Sequence, residues 1–282
     1  MSQSKSLALV FLALAAASCV KAQINEGDPQ GRRLVPANWW ESAASIVRVS
    51  INPQTGGSKR SQFPIDPAKA GPILDDLKAR GVSAIEIFAP YHGGHSFGGL
   101  DSIDRFNLNP EVGTMEDFRA LVRLIHSKGI AVISFDNLGY SSSEAPEFLK
   151  ACDDMHAGRD TAEARRFLWA DRADAPPPEP NTDKFFMVRP RHLPGDYEPV
   201  KAEFWEYNGR AGKYFWTKWA GLNLAGKVVR LPQYNWGSKE FQHYAEKVVR
   251  FWMDTGLDGM IIDAVNWYVG HTWEQDRHYI TM

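Results

Sequence analysis

Phe251-Trp-Met-Asp-Thr-Gly-Leu-Asp-Gly-Met-Ile-Ile-Asp-Ala-Val265 is the stretch on which the fold turns. Phe251 and Trp252 close an apolar stripe that starts at Phe241 and continues through Tyr244 and Val248, a helical spacing over Lys239 to Thr255. Gly256 ends that helix, and after Leu257-Asp-Gly comes a short strand, Met260-Ile-Ile-Asp263. A helix, a glycine stop and a brief apolar strand make half of a β-α unit. The strand ends on a carboxylate, a costly group directly after three apolar residues unless it is partnered or functional.

The same grammar recurs upstream. Ser45–Ile51, Val82–Phe88 and Ile130–Phe135 read as three earlier strands. A helix carrying Ile73, Leu74 and Leu77 ends at Gly81, and either Asp66-Pro67 or Gly71-Pro72 begins it. Thr114 caps another helix, which buries Phe118, Leu121, Val122 and Ile125 and stops at Gly129. Repeated β-α units around a parallel sheet follow from this order. Gly139 to Arg230 breaks the pattern with Ala175-Pro-Pro-Pro-Glu-Pro180 and with the aromatic runs Phe204–Tyr207 and Tyr214–Trp216. It reads as an irregular inserted subdomain. Its aromatics are either that subdomain's core or flat partners for sugar rings.

Composition excludes several classes. The chain has 282 residues, 32 basic against 34 acidic, with no long like-charge run, so it lacks the footprint of a nucleic-acid binder. Two Cys rule out a disulfide scaffold. Lys5, the apolar run Leu7–Ala17 and Val20-Lys21-Ala22 have the order of a cleaved signal peptide over residues 1–22, too short to span a bilayer. Export, to the periplasm or as a secreted protein, is the expectation. Cys19 after Ala16-Ala17-Ser18 offers a lipoprotein alternative. Cleavage after Ala22 leaves Cys152 unpaired, as a small buried hydrophobe.

Four stretches together resemble glycoside hydrolase family 13, the α-amylase and α-glucosidase family. They are Trp39-Trp40-Glu41, Asn109–Phe118, Leu231-Pro-Gln-Tyr-Asn-Trp236 and the opening stretch Phe251–Val265. The resemblance implies a (β/α)8 TIM barrel of the α-amylase type, with the first four β-α units present. It divides the chain into barrel (36–138), an inserted subdomain after the third strand (139–230) and resumed barrel (231–282). It also implies a retaining mechanism: an Asp attacks the anomeric carbon, a Glu protonates the leaving oxygen and a second Asp holds the distorted sugar. Asp263 matches the nucleophile, and Asp101 and Asn235 match substrate-contact positions. Tyr140 occupies the place of a substrate-binding His, and Tyr91, in the Gly-rich loop Pro90–Gly99 at the barrel mouth, is a further expected substrate contact. The substrate class implied is an oligo- or polysaccharide, an α-glucan, with no cofactor and no transmembrane span.

Several positions depart from the family. Ile261 stands where an Arg orients the nucleophile, Leu100 replaces the sugar-stacking Tyr, and Gln233 replaces an Asp. At the end of the third strand an ungapped alignment places Phe135 at the family's Asp, and a one-residue shift restores the acid as Asp136. The turn Asn52–Ser58 has no carboxylate for a hard cation, and His92 and His95 belong to the Gly-rich loop, so no metal site is expected. Glu274 and Asp276 match no family motif. The fifth to eighth strands, with the general acid, are not in the sequence, so it reads as the N-terminal part of a longer enzyme. The alternative function is an inactive relative used as a carbohydrate-binding or protein-interaction module.

Overall fold

The computed structural model describes residues 35–36, 38–42, 45–52, 62–94, 99–178, 185–188, 198–201, 203–222 and 228–265. The signal segment with Cys19, most of the turn Asn52–Ser58, His95, Glu274 and Asp276 lie outside them.

Four short strands form one parallel sheet: β1 (Ile46–Val49), β2 (Ala84–Phe88), β5 (Ala131–Asp136) and β12 (Gly259–Ile262), in that order across the sheet. The elements between are α1 (Trp39–Ser42), α2 (Pro67–Ala79), a hairpin of β3 (Tyr91–Gly93) and β4 (Ser102–Leu108), and α3 (Met115–Ser127). After the insertion, α6 (Lys239–Met253) leads into β12. Asp66 caps α2 by accepting the Ala68 N–H, with Pro67 in the first turn, and this settles the open start. Ala70 and Leu74, four residues apart, form the buried stripe of α2, and Ile73 lies off it, 41% exposed, against the expectation that it packs with Leu74. Thr114 caps α3 as expected, and Asp117 completes a reciprocal capping box.

The register sorts the strand residues into two faces. Arg48 pairs with Glu86, Phe88 with Phe135 and Phe135 with Ile261. Partners in register share a face, so these residues lie on the side turned from the helices. Ile85, Ile87 and Val132 lie on the other side, in the core with Leu74, Phe118, Leu121, Val122, Val248 and Trp252. Near the strand starts, Trp39 packs against Val35, Ala84 and Ala131. The entry of β12 is pinned by Asp258. Its Oδ2 accepts the Val132 N–H at 2.8 Å and lies 2.8 Å from His126 Nε2, and its own N–H donates to the Val132 carbonyl at 2.7 Å.

The insertion is more regular than its Pro and aromatic content suggests. It holds α4 (Pro146–His156), α5 (Ala162–Arg165), β6 (Trp169–Ala170), a hairpin of β7 (Phe185–Val188) and β8 (Glu198–Lys201), then β9 (Phe204–Asn208), β10 (Lys213–Leu222) and β11 (Val228–Pro232). The last three and β6 pair antiparallel through the long β10. Long-range pairing supplies the order that local sequence does not show. Trp205, Phe215 and Trp216 are buried, whereas Tyr207 is exposed, so these aromatics are mostly core.

Candidate active site

The C-terminal ends of β5 and β12 bring the conspicuous residues together. Asp263 follows directly on β12, and its N–H donates to the Asp136 carbonyl at 3.0 Å, which continues the parallel register past Ile262. Alternation then places Asp263 on the face of Ile261 and Phe135. Its side chain is exposed. Ala264 has φ 55, a left-handed conformation that costs a residue with a Cβ about 1 kcal/mol. Backbone strain of this kind gathers at functional sites.

Asp136 faces the opposite way. Its neighbour in register is Ile262, which packs into the helix-side core, and it is buried against Arg105. The one-residue shift therefore does not restore an acid to the inner face, where Phe135 stands. Phe135 packs on Phe88 with ring centroids 4.5 Å apart and planes tilted by 36°, and the Arg48 guanidinium covers Phe88 at 4.7 Å while pairing with Glu86 at 2.7 Å. The inner face beside Asp263 thus carries two aromatic rings, with the Arg48–Glu86 ion pair next to them.

Arg105, on β4, is a residue the sequence reading passed over. It forms a buried ion pair with Asp136 and donates to the carbonyls of Asn137 at 2.8 Å and Tyr140 at 2.7 Å. Burial opposes its charge most strongly, but the Asp136 carboxylate together with Tyr234, Tyr91 and Tyr244 outweighs that and holds the guanidinium well above its usual pKa. Burial likewise raises the Asp136 carboxyl, against the pull of Arg105.

The expected substrate contacts fall into two groups. Tyr91, Asp101 and Tyr140 are fully enclosed and touch protein. The Tyr91 hydroxyl donates to the Leu100 carbonyl at 3.0 Å, and Asp101 Oδ2 accepts from the Ser142 hydroxyl at 2.9 Å. A Cβ at Gly94 would lie 2.2 Å from that same Asp101 oxygen, so a larger residue there would have to displace the Asp101 carboxylate from Ser142. Tyr140 bridges to Gln233, and its ring lies 5.7 Å from that of Trp219. Asn235 is only partly buried, and its Oδ1 accepts the Gly237 N–H at 3.1 Å in the turn before α6. Among the described residues no three His, Cys, Asp or Glu side chains gather so as to hold a metal ion. Nor is any described helix long and apolar enough to cross a membrane.

A parallel sheet flanked by helices, with an acid at a strand's C-terminal end and an insertion after the third strand, is the arrangement of one part of a β/α barrel. The family described as alpha amylase, catalytic domain, matches residues 73–281, and the chain belongs to that family. Its four strands are part of the (β/α)8 barrel. It is 25% identical over 194 residues to an oligo-1,6-glucosidase of Parageobacillus thermoglucosidasius, covering 68% of this chain and 30% of that one. To a trehalose synthase of Pimelobacter sp. it is 26% identical over 230 residues, covering 80% and 35%. Among solved structures, the α-glucosyl transfer enzyme XgtA superposes with a TM-score of 0.60 at 25% identity, over 84% of this chain and 38% of that one. Trehalulose synthase MutB from Pseudomonas mesoacidophila shares the fold at a TM-score of 0.59 and 23% identity, over 86% and 39%. The chain spans about a third of the length of the curated relatives it matches.

Proposed function

We propose that the protein is an exported glycosidase or transglycosidase that acts on α-linked glucosides by a retaining mechanism, with Asp263 as nucleophile. One observation carries this reading: Asp263 is exposed at the C-terminal end of β12, on the inner face, with its backbone tied to the end of β5. Barrel chemistry takes place at that rim. An exposed carboxylate there can attack an anomeric carbon and form the covalent glycosyl intermediate that retention requires. The names of the relatives, an oligo-1,6-glucosidase, a trehalose synthase and an α-glucosyl transfer enzyme, support the substrate class.

The test is covalent. A 5-fluoroglucosyl fluoride incubated with the full-length protein should leave one glycosyl adduct, and peptide mass mapping should place it on Asp263. Asp263→Asn should lose turnover by roughly 10³-fold or more. An adduct elsewhere, or an Asn variant that works normally, rejects the assignment. Export is tested by the mass of the protein recovered outside the cytoplasm, which should lack the first 22 residues.

Phe135 and Ile261, apolar groups beside Asp263, favour a second reading in which the mouth binds carbohydrate without cleaving it. In that case maltooligosaccharides bind measurably by calorimetry while no adduct and no turnover are seen.

A further inference from the structure

Arg105 reaches the back of the site from outside the sheet. Its side chain has no solvent exposure, and the rings of Tyr91 and Tyr234 enclose the guanidinium at 5.2 and 5.7 Å. Its own backbone carbonyl is held by Trp252 Nε1 at 2.8 Å, so the hairpin, α6 and β5 all meet at this residue. A buried cation is costly unless it is paired and hydrogen-bonded. Here the two terminal nitrogens hold Asp136 at the end of β5 and the carbonyls of Asn137 and Tyr140 in the turn that follows, while the buried Nε has no hydrogen-bond partner among the described residues. The first peptide of that turn, the Asp136 carbonyl, accepts the Asp263 N–H. On the other side of Asp263 the chain enters the left-handed Ala264. The preceding strand offers Ile261, which can orient nothing by charge or hydrogen bond.

We propose that Arg105 is the positioning residue for Asp263: by fixing the 136–140 turn it sets where the Asp263 carboxylate stands at the barrel mouth, without touching it. The proposal rests on the reading of Asp263 as nucleophile.

Two variants of the full-length protein test it. Arg105→Lys keeps the charge and loses the fork. The double variant Arg105→Met with Asp136→Leu removes the pair and leaves no lone buried charge, a change that folds commonly tolerate. Both should melt cooperatively, and in both the amides of Asp263 and Ala264 should exchange with deuterium at least ~10-fold faster while those of α2 keep their protection. On an aryl α-glucoside kcat should fall by about 10²-fold with KM nearly unchanged, the signature of a misplaced reacting group. If folded variants keep both the exchange rate and kcat, the proposal is wrong. Faster exchange with unaltered kcat also overturns it, since Arg105 would then be structural only. Asp263→Asn, assayed alongside, separates the two readings: full turnover there removes the nucleophile and the proposal with it, whereas an inactive Asn variant beside unaffected Arg105 variants removes the proposal alone.

Discussion

Cys152 shows how completely surroundings decide what a residue can do. It lies in α4 with no solvent exposure, packed in the main core, and burial pushes its thiol up to about 12. The thiolate is the reactive form, so almost none exists at neutral pH. Iodoacetamide should therefore leave Cys152 unmodified in the native protein and alkylate it promptly in guanidinium, as read by peptide mass. Fast labelling of the folded protein would contradict the burial argument. Asp263 sits at the opposite extreme, exposed at a strand end, and its chemistry depends on what holds its backbone. Which acid faces the mouth was hard to read because side-chain direction reverses with each residue along a strand. Only the pairing of Ile262 with Asp136 shows that Phe135, and not the acid beside it, shares the inner face.

At the scale of elements, the helices were the most legible. In α6 the buried residues Phe241, Tyr244, Val248 and Trp252 recur at helical spacing, which periodicity detects directly. The β3–β4 hairpin was not legible, because its buried positions in β4 are Ser102, Arg105 and Leu108, spaced by three and two of them polar. No strand template finds that pattern, and so Arg105 escaped notice. The antiparallel sheet of the insertion escaped for another reason. Phe215 pairs with Trp169 and with Glu206, contacts that no short window contains. The cap of α3 permits a local prediction. The Thr114 side chain accepts the Asp117 N–H at 3.2 Å, and the Thr114 N–H and hydroxyl both donate to Asp117 Oδ2. Thr114→Ala should destabilise the protein by about 1 kcal/mol, and Thr114→Ser by much less, in urea unfolding. Equal stability of the Ala variant and wild type would mean that the box contributes nothing.

At the scale of the whole molecule, the insertion is tied to itself and to the barrel by ion pairs that acid should dissolve. Arg165 on α5 bonds Asp160 and, at 2.7 Å, Glu240 in the first turn of α6, while Arg210 holds Asp153 on α4. Asp154, nearly enclosed, accepts from Lys150, Thr161 and Arg159, in that order of effect, and these hold its carboxyl far below the usual carboxylate range. Arg165, followed by the helix N-terminus and Ser238, brings Glu240 down to about 2. Groups whose pKa is lower in the folded state bind protons more weakly there than when unfolded. Their stabilisation is therefore complete above the unfolded values of about 4 and is lost as pH falls through the folded ones. Melting temperature should be level with respect to these groups from neutral pH to about pH 5 and should fall steeply between about pH 4 and 2. Glu240→Gln and Asp154→Asn should each melt lower at pH 6 and decline less on acidification, because each removes one linked group. The insertion is expected to loosen first, since these ion pairs gather on its helices and at their joint with α6. Hydrogen exchange at pH 3 should show α4 and α5 opening while β2 and β5 stay protected. Simultaneous opening of both regions would show that the ion pairs support the whole fold rather than the joint.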